Sequence, residues 1–167
     1  RLKAAAKALP LVPGTEQGHR WFAADFTSPD SVREAVKTEM SHVSAAGAYT
    51  ILVNNTGGPP GGTAIEAKLE EFTAAFNAHV ICNQILVQAL VPGMKAAKFG
   101  RIVNIISTSV KAPIPGLGVS NTIRGAVASW AKTLASELGP HGITVNNVLP
   151  GFTDTERLGS LIGARAT

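Results

Sequence analysis

Arg101-Ile-Val-Asn-Ile-Ile106 is apolar on consecutive residues rather than on alternate ones. That pattern is typical of a parallel strand whose two faces are both covered. Tyr49-Thr-Ile-Leu-Val-Asn54 and Ile143-Thr-Val-Asn-Asn-Val-Leu149 have the same character, and His19-Arg-Trp-Phe-Ala-Ala-Asp-Phe26 is a shorter, mostly apolar run. These four stretches therefore predict four strands of a parallel sheet.

Helical segments are predicted between these strands. Ser28-Pro29-Asp30 is a helix start, because a hydroxyl caps the first turn, proline suits the first helical position and an early carboxylate complements the helix dipole. The other predicted helices cover residues 1–9, about 68–98 with an interruption near Pro92, 121–138 and the polar segment after Gly151. Strands that alternate with helices indicate β-α-β units, so we expect a doubly wound parallel sheet with helices on both faces, in three α/β/α layers.

The composition excludes several classes of protein. With 45% hydrophobic and 16% charged residues, the chain is too apolar to be disordered, and 167 residues suit one domain. The single Cys82 excludes a disulfide scaffold and favours a reducing compartment, so we expect a cytoplasmic protein. No run of 18 uninterrupted apolar residues occurs and the 15 Lys and Arg are scattered, so neither a membrane nor nucleic acid is an expected partner. The histidines outside the long helix lie far apart with no carboxylate at ligand spacing, and no metal site is predicted.

The candidate site follows from the sheet alone. In sheets of this kind, ligands bind beyond the carboxyl ends of the strands. The residues at those positions are Asp25, 54–58, 107–109 and 149–155.

Four motifs at these strand ends resemble one family. Asn54-Asn55-Thr56-Gly57, Gly100-Arg-Ile-Val-Asn-Ile-Ile-Ser107 and Gly142-Ile-Thr-Val-Asn-Asn-Val-Leu-Pro-Gly151, with Ala24-Asp25-Phe26, resemble the short-chain dehydrogenase/reductase family and its 3-oxoacyl-carrier-protein reductase-like group. The resemblance implies a Rossmann-type sheet of about seven strands, a bound NAD or NADP, and interconversion of a carbonyl and an alcohol on a small molecule. It also implies a homo-oligomer through the long helices.

The resemblance covers only part of that fold. The predicted strands correspond to the family's strands three to six, and the glycine-rich strand–helix unit that precedes them has no counterpart in the sequence, nor has the last strand. We therefore expect residues 1–167 to form a single partial Rossmann-type domain of a longer gene product. Because the strand end that selects NAD or NADP is among the missing parts, the choice of dinucleotide stays open.

Cofactor contacts are implied at nine strand-end positions: Asp25, Phe26, Asn54, Asn55, Gly57, Pro150, Gly151, Thr153 and Thr155. The first two are expected near the adenine, the next three along the central strand where the backbone approaches the cofactor, and the last four at the nicotinamide amide and phosphates. Each could instead be an ordinary cap or turn at a strand end.

The catalytic positions depart from the family pattern. The family uses a Tyr, a Lys four residues later, a Ser thirteen residues before the Tyr and an Asn on the long helix. Ser107 matches that Ser, and counting forward places Ser120 at the Tyr position and Arg124 at the Lys position, while His79 falls at the Asn position. The only tyrosine, Tyr49, begins a predicted strand and is expected at the opposite end of the sheet.

These replacements leave three interpretations open. The first is an active reductase whose proton path runs through His79, Ser107, Ser120 and Arg124. A serine hydroxyl is a much weaker acid than a phenol and arginine does not release a proton near neutral pH, whereas imidazole titrates near 6.5. The second is a dinucleotide-binding protein of little or no redox activity that acts as a sensor or partner subunit. The third is that these are surface or packing residues.

Overall fold

The sheet contains three parallel strands in the order β1-β2-β3: β1 is Ile51–Asn54, β2 is Gly100–Ile105 and β3 is Ile143–Val148. These bounds come from a computed structural model that describes residues 2–10, 19–42, 49–151 and 153. Three of the four predicted strands are thus confirmed within two residues at each end.

The fourth predicted strand, residues 19–26, is wrong. This segment pairs with no strand in the described part of the chain, although Ala24 and Phe26 pack against the hydrophobic core. Two of its apolar residues, Ala24 and Phe26, therefore serve core packing, whereas Trp21 and Phe22 are exposed. A strand also requires a hydrogen-bonding neighbour, and none adjoins this segment among the described residues. The described sheet accordingly holds the counterparts of the family's strands four to six rather than three to six.

Five α-helices accompany this sheet in the described ranges: α1 Leu2–Ala8, α2 Pro29–Ser41, α3 Leu69–Phe76, α4 Cys82–Ala96 and α5 Gly118–Leu138. The start predicted for α2 is confirmed, since Ser28 Oγ accepts a hydrogen bond from the Ser31 amide at 3.4 Å. The helix predicted after Gly151 lies outside the described residues.

The long helical tract is interrupted at a different place from the one predicted. Pro92 lies inside α4, whereas a π-helical turn, Asn77–Ile81, joins α3 to α4. In that turn the amide of Cys82 bonds to the carbonyl of Asn77, five residues back. Pro92 is exposed and lacks one backbone donor within a long helix. The inserted residue of a π-turn, in contrast, changes which side chains point into the core, and such turns are frequent at functional sites.

One face of the sheet carries the core. Leu52, Ile102 and Val145 share a register position across the three strands, and all belong to one hydrophobic cluster that includes residues of α2, α4 and α5. The opposite face is open in the described structure: Ile51 and Val53 are 61% and 57% exposed. Helices α2, α4 and α5 pack on one face of the described sheet, and α1 buries no residue. Of the three expected α/β/α layers, the described structure therefore has two, the sheet and the helices on that face.

The tract Leu69–Ala96 is long and apolar enough to cross a membrane by length and composition alone. Several of its apolar residues, among them Cys82, Val87, Leu90 and Met94, are buried in the hydrophobic cluster against the sheet. The composition of this helix is therefore that of a core helix.

Candidate active site

The carboxyl ends of β2 and β3 stay paired beyond the last strand residues. The amide of Ile106 donates to the carbonyl of Val148 at 2.9 Å, and the amide of Thr108 donates to the carbonyl of Pro150 at 3.2 Å. Ser107, which lies between these two amides, is therefore held beside the Pro150 segment, as the strand-end argument predicts.

A row of asparagine side chains crosses the sheet just before these ends. Asn54, Asn104 and Asn147 face one another in register on β1, β2 and β3. Asn54 Nδ2 donates to Asn104 Oδ1 at 2.8 Å, and Asn104 Nδ2 donates to Asn147 Oδ1 at 3.1 Å. Asn54 and Asn104 are 4% and 1% exposed. Asn104 and Asn147 are not among the predicted site residues, although each is a polar residue within an apolar run, which is the sign of such a row.

Arg124 joins the ends of β1 and β2. It lies on α5, one turn after Ser120, and its Nη1 donates to the carbonyl of Ile105 at 2.7 Å while Nη2 lies 3.5 Å from the carbonyl of Thr56. The guanidinium therefore lies at the same sheet edge as Gly57 and Ser107. A planar fork suits two acceptors in this way, whereas an ammonium group is a single point of charge.

Ser107 and Ser120 have different surroundings. Ser107 Oγ accepts a hydrogen bond from the amide of Ser109 at 3.1 Å and caps the 3-10 turn Thr108–Val110. Ser120 is buried in the first turn of α5 and is 8% exposed. Of the two roles in the third interpretation, a surface role therefore does not fit this position, whereas a packing role does.

The start of α5 is fixed against the loop that follows β1. The amide of Gly62 donates to the carbonyl of Gly116 at 2.8 Å, and the amide of Gly118 donates to the carbonyl of Gly62 at 2.9 Å. A Cβ built on Gly118 would clash with the backbone nitrogen of Ala64, so only glycine allows this approach. These contacts hold Ser120 in a defined place relative to the strand-end loops.

His79 lies in the π-helical turn and is 2% exposed. The turn packs against α5, the helix that carries Ser120 and Arg124. His79 is engaged in an interaction with its surroundings, so the surface interpretation is wrong for it too.

The predicted adenine residues divide into one exposed and one packed side chain. Asp25 is exposed, and its Oδ1 accepts hydrogen bonds from the hydroxyl and amide of Thr27 at 2.7 and 2.8 Å, which lower the pKa of the carboxyl. Phe26 is half-buried against the core, and its carbonyl accepts a weak hydrogen bond from Cys82 Sγ at 3.5 Å. Burial raises the pKa of the Cys82 thiol, so this side chain stays neutral.

The other predicted cofactor residues lie in open loops. Asn55, Gly57, Gly151 and Thr153 are exposed beyond the ends of β1 and β3, and Pro150 is half-buried. Thr155 lies outside the described residues. In the part of the chain that the structure describes, no three His, Cys, Asp or Glu side chains form a group that could hold a metal ion.

Tyr49 lies at the opposite end of the sheet, before the first residue of β1. Its hydroxyl donates to Glu39 Oε1 at 2.6 Å, and Arg20 forms an ion pair with the same carboxylate at 2.9 Å. The hydrogen bond from Tyr49 is the largest of the effects that lower the pKa of Glu39, and it raises the pKa of Tyr49. This tyrosine joins β1 to α2 and is remote from Ser107.

Comparison with known proteins decides the family. The family model described as short chain dehydrogenase matches residues 1–164. The chain belongs to the short-chain dehydrogenase family. The predicted resemblance and the Rossmann-type fold are thereby confirmed.

Relatives within the short-chain dehydrogenase family include several reductases. The chain is 31% identical over 114 residues to the NADPH-dependent reductase BacG of Bacillus subtilis, covering 68% of this chain and 44% of that protein. It is 31% identical over 133 residues to a 3-oxoacyl-[acyl-carrier-protein] reductase of Synechocystis, covering 80% and 53%. The chain thus spans about half the length of these relatives.

Solved structures of short-chain dehydrogenases share the fold. L-sorbose reductase from Gluconobacter frateurii, determined with NADPH and L-sorbose, superposes with a TM-score of 0.73 at 32% identity, over 81% of this chain and 50% of that one. YwfH, an NADPH-dependent reductase involved in bacilysin biosynthesis, gives a TM-score of 0.77 at 26% identity, over 86% and 55%. Both are proteins of the class that the strand-end motifs predict.

Proposed function

We propose that this chain supplies the catalytic edge of an NAD(P)-dependent oxidoreductase that interconverts a carbonyl and an alcohol on a small molecule. One observation carries the proposal: Arg124, at the family's Lys position, is hydrogen-bonded to the carbonyls of Ile105 and Thr56, immediately beside Ser107 and Gly57. Arg124 therefore lies at the strand-end edge to which Ser107 and Gly57 also belong, and the enzymes that the chain resembles include reductases of this type.

The residues at this edge fit part of a nicotinamide dinucleotide. A Cβ built on Gly57 or Gly151 would meet no atom within 4 Å, so both backbones are open to a ligand. Asn54 Oδ1 is buried and has no hydrogen-bond partner among the described residues, and the Asp25 carboxylate is exposed for an amino group. The glycine-rich turn that seats a pyrophosphate does not occur in these 167 residues, so the proposal concerns the adenine and nicotinamide sides.

In this proposal the chain's own residues orient and protonate the substrate oxygen. A reduced nicotinamide, when bound, supplies the hydride. The hydroxyls of Ser107 and Ser120 donate hydrogen bonds to the carbonyl oxygen on which negative charge develops. Arg124 holds a fixed positive charge behind them but releases no proton, so the proton comes from His79 or from solvent. Because general acid catalysis contributes about 10²–10⁴-fold, we expect slow turnover where no phenol is present.

The second candidate function is a dinucleotide-binding protein of little redox activity, a sensor or a partner subunit. The same bonds favour this function. A guanidinium that donates to two backbone carbonyls stabilises the strand ends, and that role requires no proton transfer. Both functions need the cofactor contacts, and they differ in the need for an acid.

Restoring the family's residues separates the two candidates. The protein expressed from its complete gene, and its Ser120→Tyr/Arg124→Lys double variant, are assayed for NADPH and NADH binding by fluorescence and for turnover with panels of ketones and alcohols. An active reductase shows turnover in the wild type that rises in the double variant. Cofactor binding without turnover in either protein supports the binding function, and a wild type that binds neither dinucleotide refutes both.

A further inference from the structure

The asparagine row, Asn54, Asn104 and Asn147, has a direction. Each amide nitrogen donates toward β3: Asn54 to Asn104, and Asn104 to Asn147. Asn147 therefore acts as an acceptor at one end, and the Asn54 oxygen at the other end has no partner among the described residues. Buried side-chain amides are costly unless paired, so the row is stable only when the three strands keep this register.

The row also sets the positions of three proposed site residues. Gly57, Ser107 and Pro150 each lie three residues beyond an asparagine of the row. A strand rises about 3.3 Å per residue, so a change of register by one residue would move one of these positions by that distance relative to the others. Side-chain pairing in the row therefore helps to set the positions of the three strand ends relative to one another along the strand direction.

We propose that Asn104 and Asn147 are positioning residues that hold the β2 and β3 ends in the alignment needed to bind the dinucleotide. The inference rests on the proposed function, since it names the residues that shape that same site without touching the ligand. Backbone bonds continue the pairing of β2 and β3 as far as Thr108, and the bond from Asn104 Nδ2 to Asn147 Oδ1 adds a side-chain connection just before it. The amide row adds the connection to β1, where the strand pairing recorded between β1 and β2 ends at Asn54.

The direction of the row makes the proposal specific. Asn147→Asp retains an oxygen that accepts the hydrogen bond from Asn104 Nδ2, so this variant keeps the row. Asn104→Leu keeps a similar side-chain volume and removes both the acceptor for Asn54 and the donor to Asn147, so it breaks the row. Asn146 is a matched control because it is the neighbouring asparagine on the opposite, exposed side of β3, where it bonds only to Thr144 Oγ1 at 3.4 Å in the described structure.

The test measures NADPH and NADH dissociation constants by fluorescence titration of the protein from its complete gene, at a temperature where melting curves show every variant folded. We expect Asn147→Ala and Asn104→Leu to weaken binding about tenfold, and Asn147→Asp and Asn146→Ala to bind within about twofold of the wild type. Should Asn147→Ala not fold, Asn147→Ser replaces it, since its side chain is too short to reach Asn104.

Rescue by aspartate is the decisive comparison, because a merely structural loss would lower the melting temperature and leave the affinity of the folded protein unchanged. Wild-type affinity in both Asn147→Ala and Asn104→Leu overturns the positioning role while the proposed function stands. Equal losses in Asn147→Asp and Asn147→Ala overturn the direction of the row, and with it the proposal. A wild type that binds neither dinucleotide removes the proposed function and the inference together.

Discussion

Replacing Arg124 by methionine should destabilise the fold by a measurable amount, because its guanidinium connects the end of β2 to the loop after β1. Methionine keeps an unbranched side chain about as long as the aliphatic part of arginine and removes every donor. The carbonyl of Ile105 then loses a charged partner at a half-buried position.

The magnitude follows from the two distances. The Nη1 bond to Ile105 at 2.7 Å is short and charge-assisted, and such bonds contribute about 1.5–3 kcal/mol. The Nη2 contact with Thr56 at 3.5 Å is at the limit of a hydrogen bond and adds little. We expect Arg124→Met to lower the free energy of unfolding by about 2 kcal/mol, and Arg124→Lys by about half as much, since one ammonium can reach one carbonyl.

Urea denaturation followed by circular dichroism measures this. At an m-value of about 2 kcal/mol/M, the Arg124→Met midpoint should fall by about 1 M with an unchanged slope. Lys132→Met is the control, because Lys132 is an exposed cation on the same helix. A midpoint for Arg124→Met equal to that of the control would refute the conclusion that the guanidinium joins the strand ends.

Two further perturbations test other contacts. Gly118→Ala should lower the free energy of unfolding by about 1–3 kcal/mol, because its Cβ clashes with the backbone of Ala64. At Gly125 a Cβ meets nothing within 4 Å, so Gly125→Ala should raise the free energy of unfolding by about 0.5–1 kcal/mol. The melting temperatures of the two variants should therefore shift in opposite directions. Tyr49→Phe should remove the main cause of the low pKa of Glu39. The stability that this low pKa provides is fully present above the ordinary glutamate pKa of about 4.3 and is lost as pH falls through the folded-state pKa. The difference in free energy of unfolding between the wild type and Tyr49→Phe should therefore shrink from about pH 6 to about pH 3. A difference that stays constant with pH would contradict the coupling.

The sequence predicted the elements that are determined by the chemistry of their own residues. Ser28 and Pro29 start α2 by local chemistry, and the three confirmed strands are apolar runs that any parallel sheet would bury. Residues 19–26 have a similar run, yet they pair with no strand in the described structure, because strand formation depends on a neighbour that no local pattern reveals. The π-helical turn at His79 was not predicted for a related reason. Whether a helix contains one inserted residue depends on how the whole helix packs, which no local pattern reveals.

The site was predictable where position follows from topology and not where it depends on pairing. Ser107 and Pro150 come together because parallel strands bring their carboxyl ends to one edge. The bonds between Asn54 and Asn104, fifty residues apart, depend on strand register, which the sequence leaves open. The role of Arg124 depends likewise on two carbonyls from other elements.

Ser120 and Arg124, which the resemblance aligns with the family's Tyr and Lys, are both held by their surroundings. Ser120 is buried in the first turn of α5. Four residues later, Arg124 donates a short hydrogen bond to the carbonyl of Ile105 at 2.7 Å and a weak one to the carbonyl of Thr56 at 3.5 Å. A surface role therefore does not fit these two positions. Three interpretations stay open: a reductase with a weak acid, a protein that binds the dinucleotide without reducing a substrate, and residues that only pack the fold.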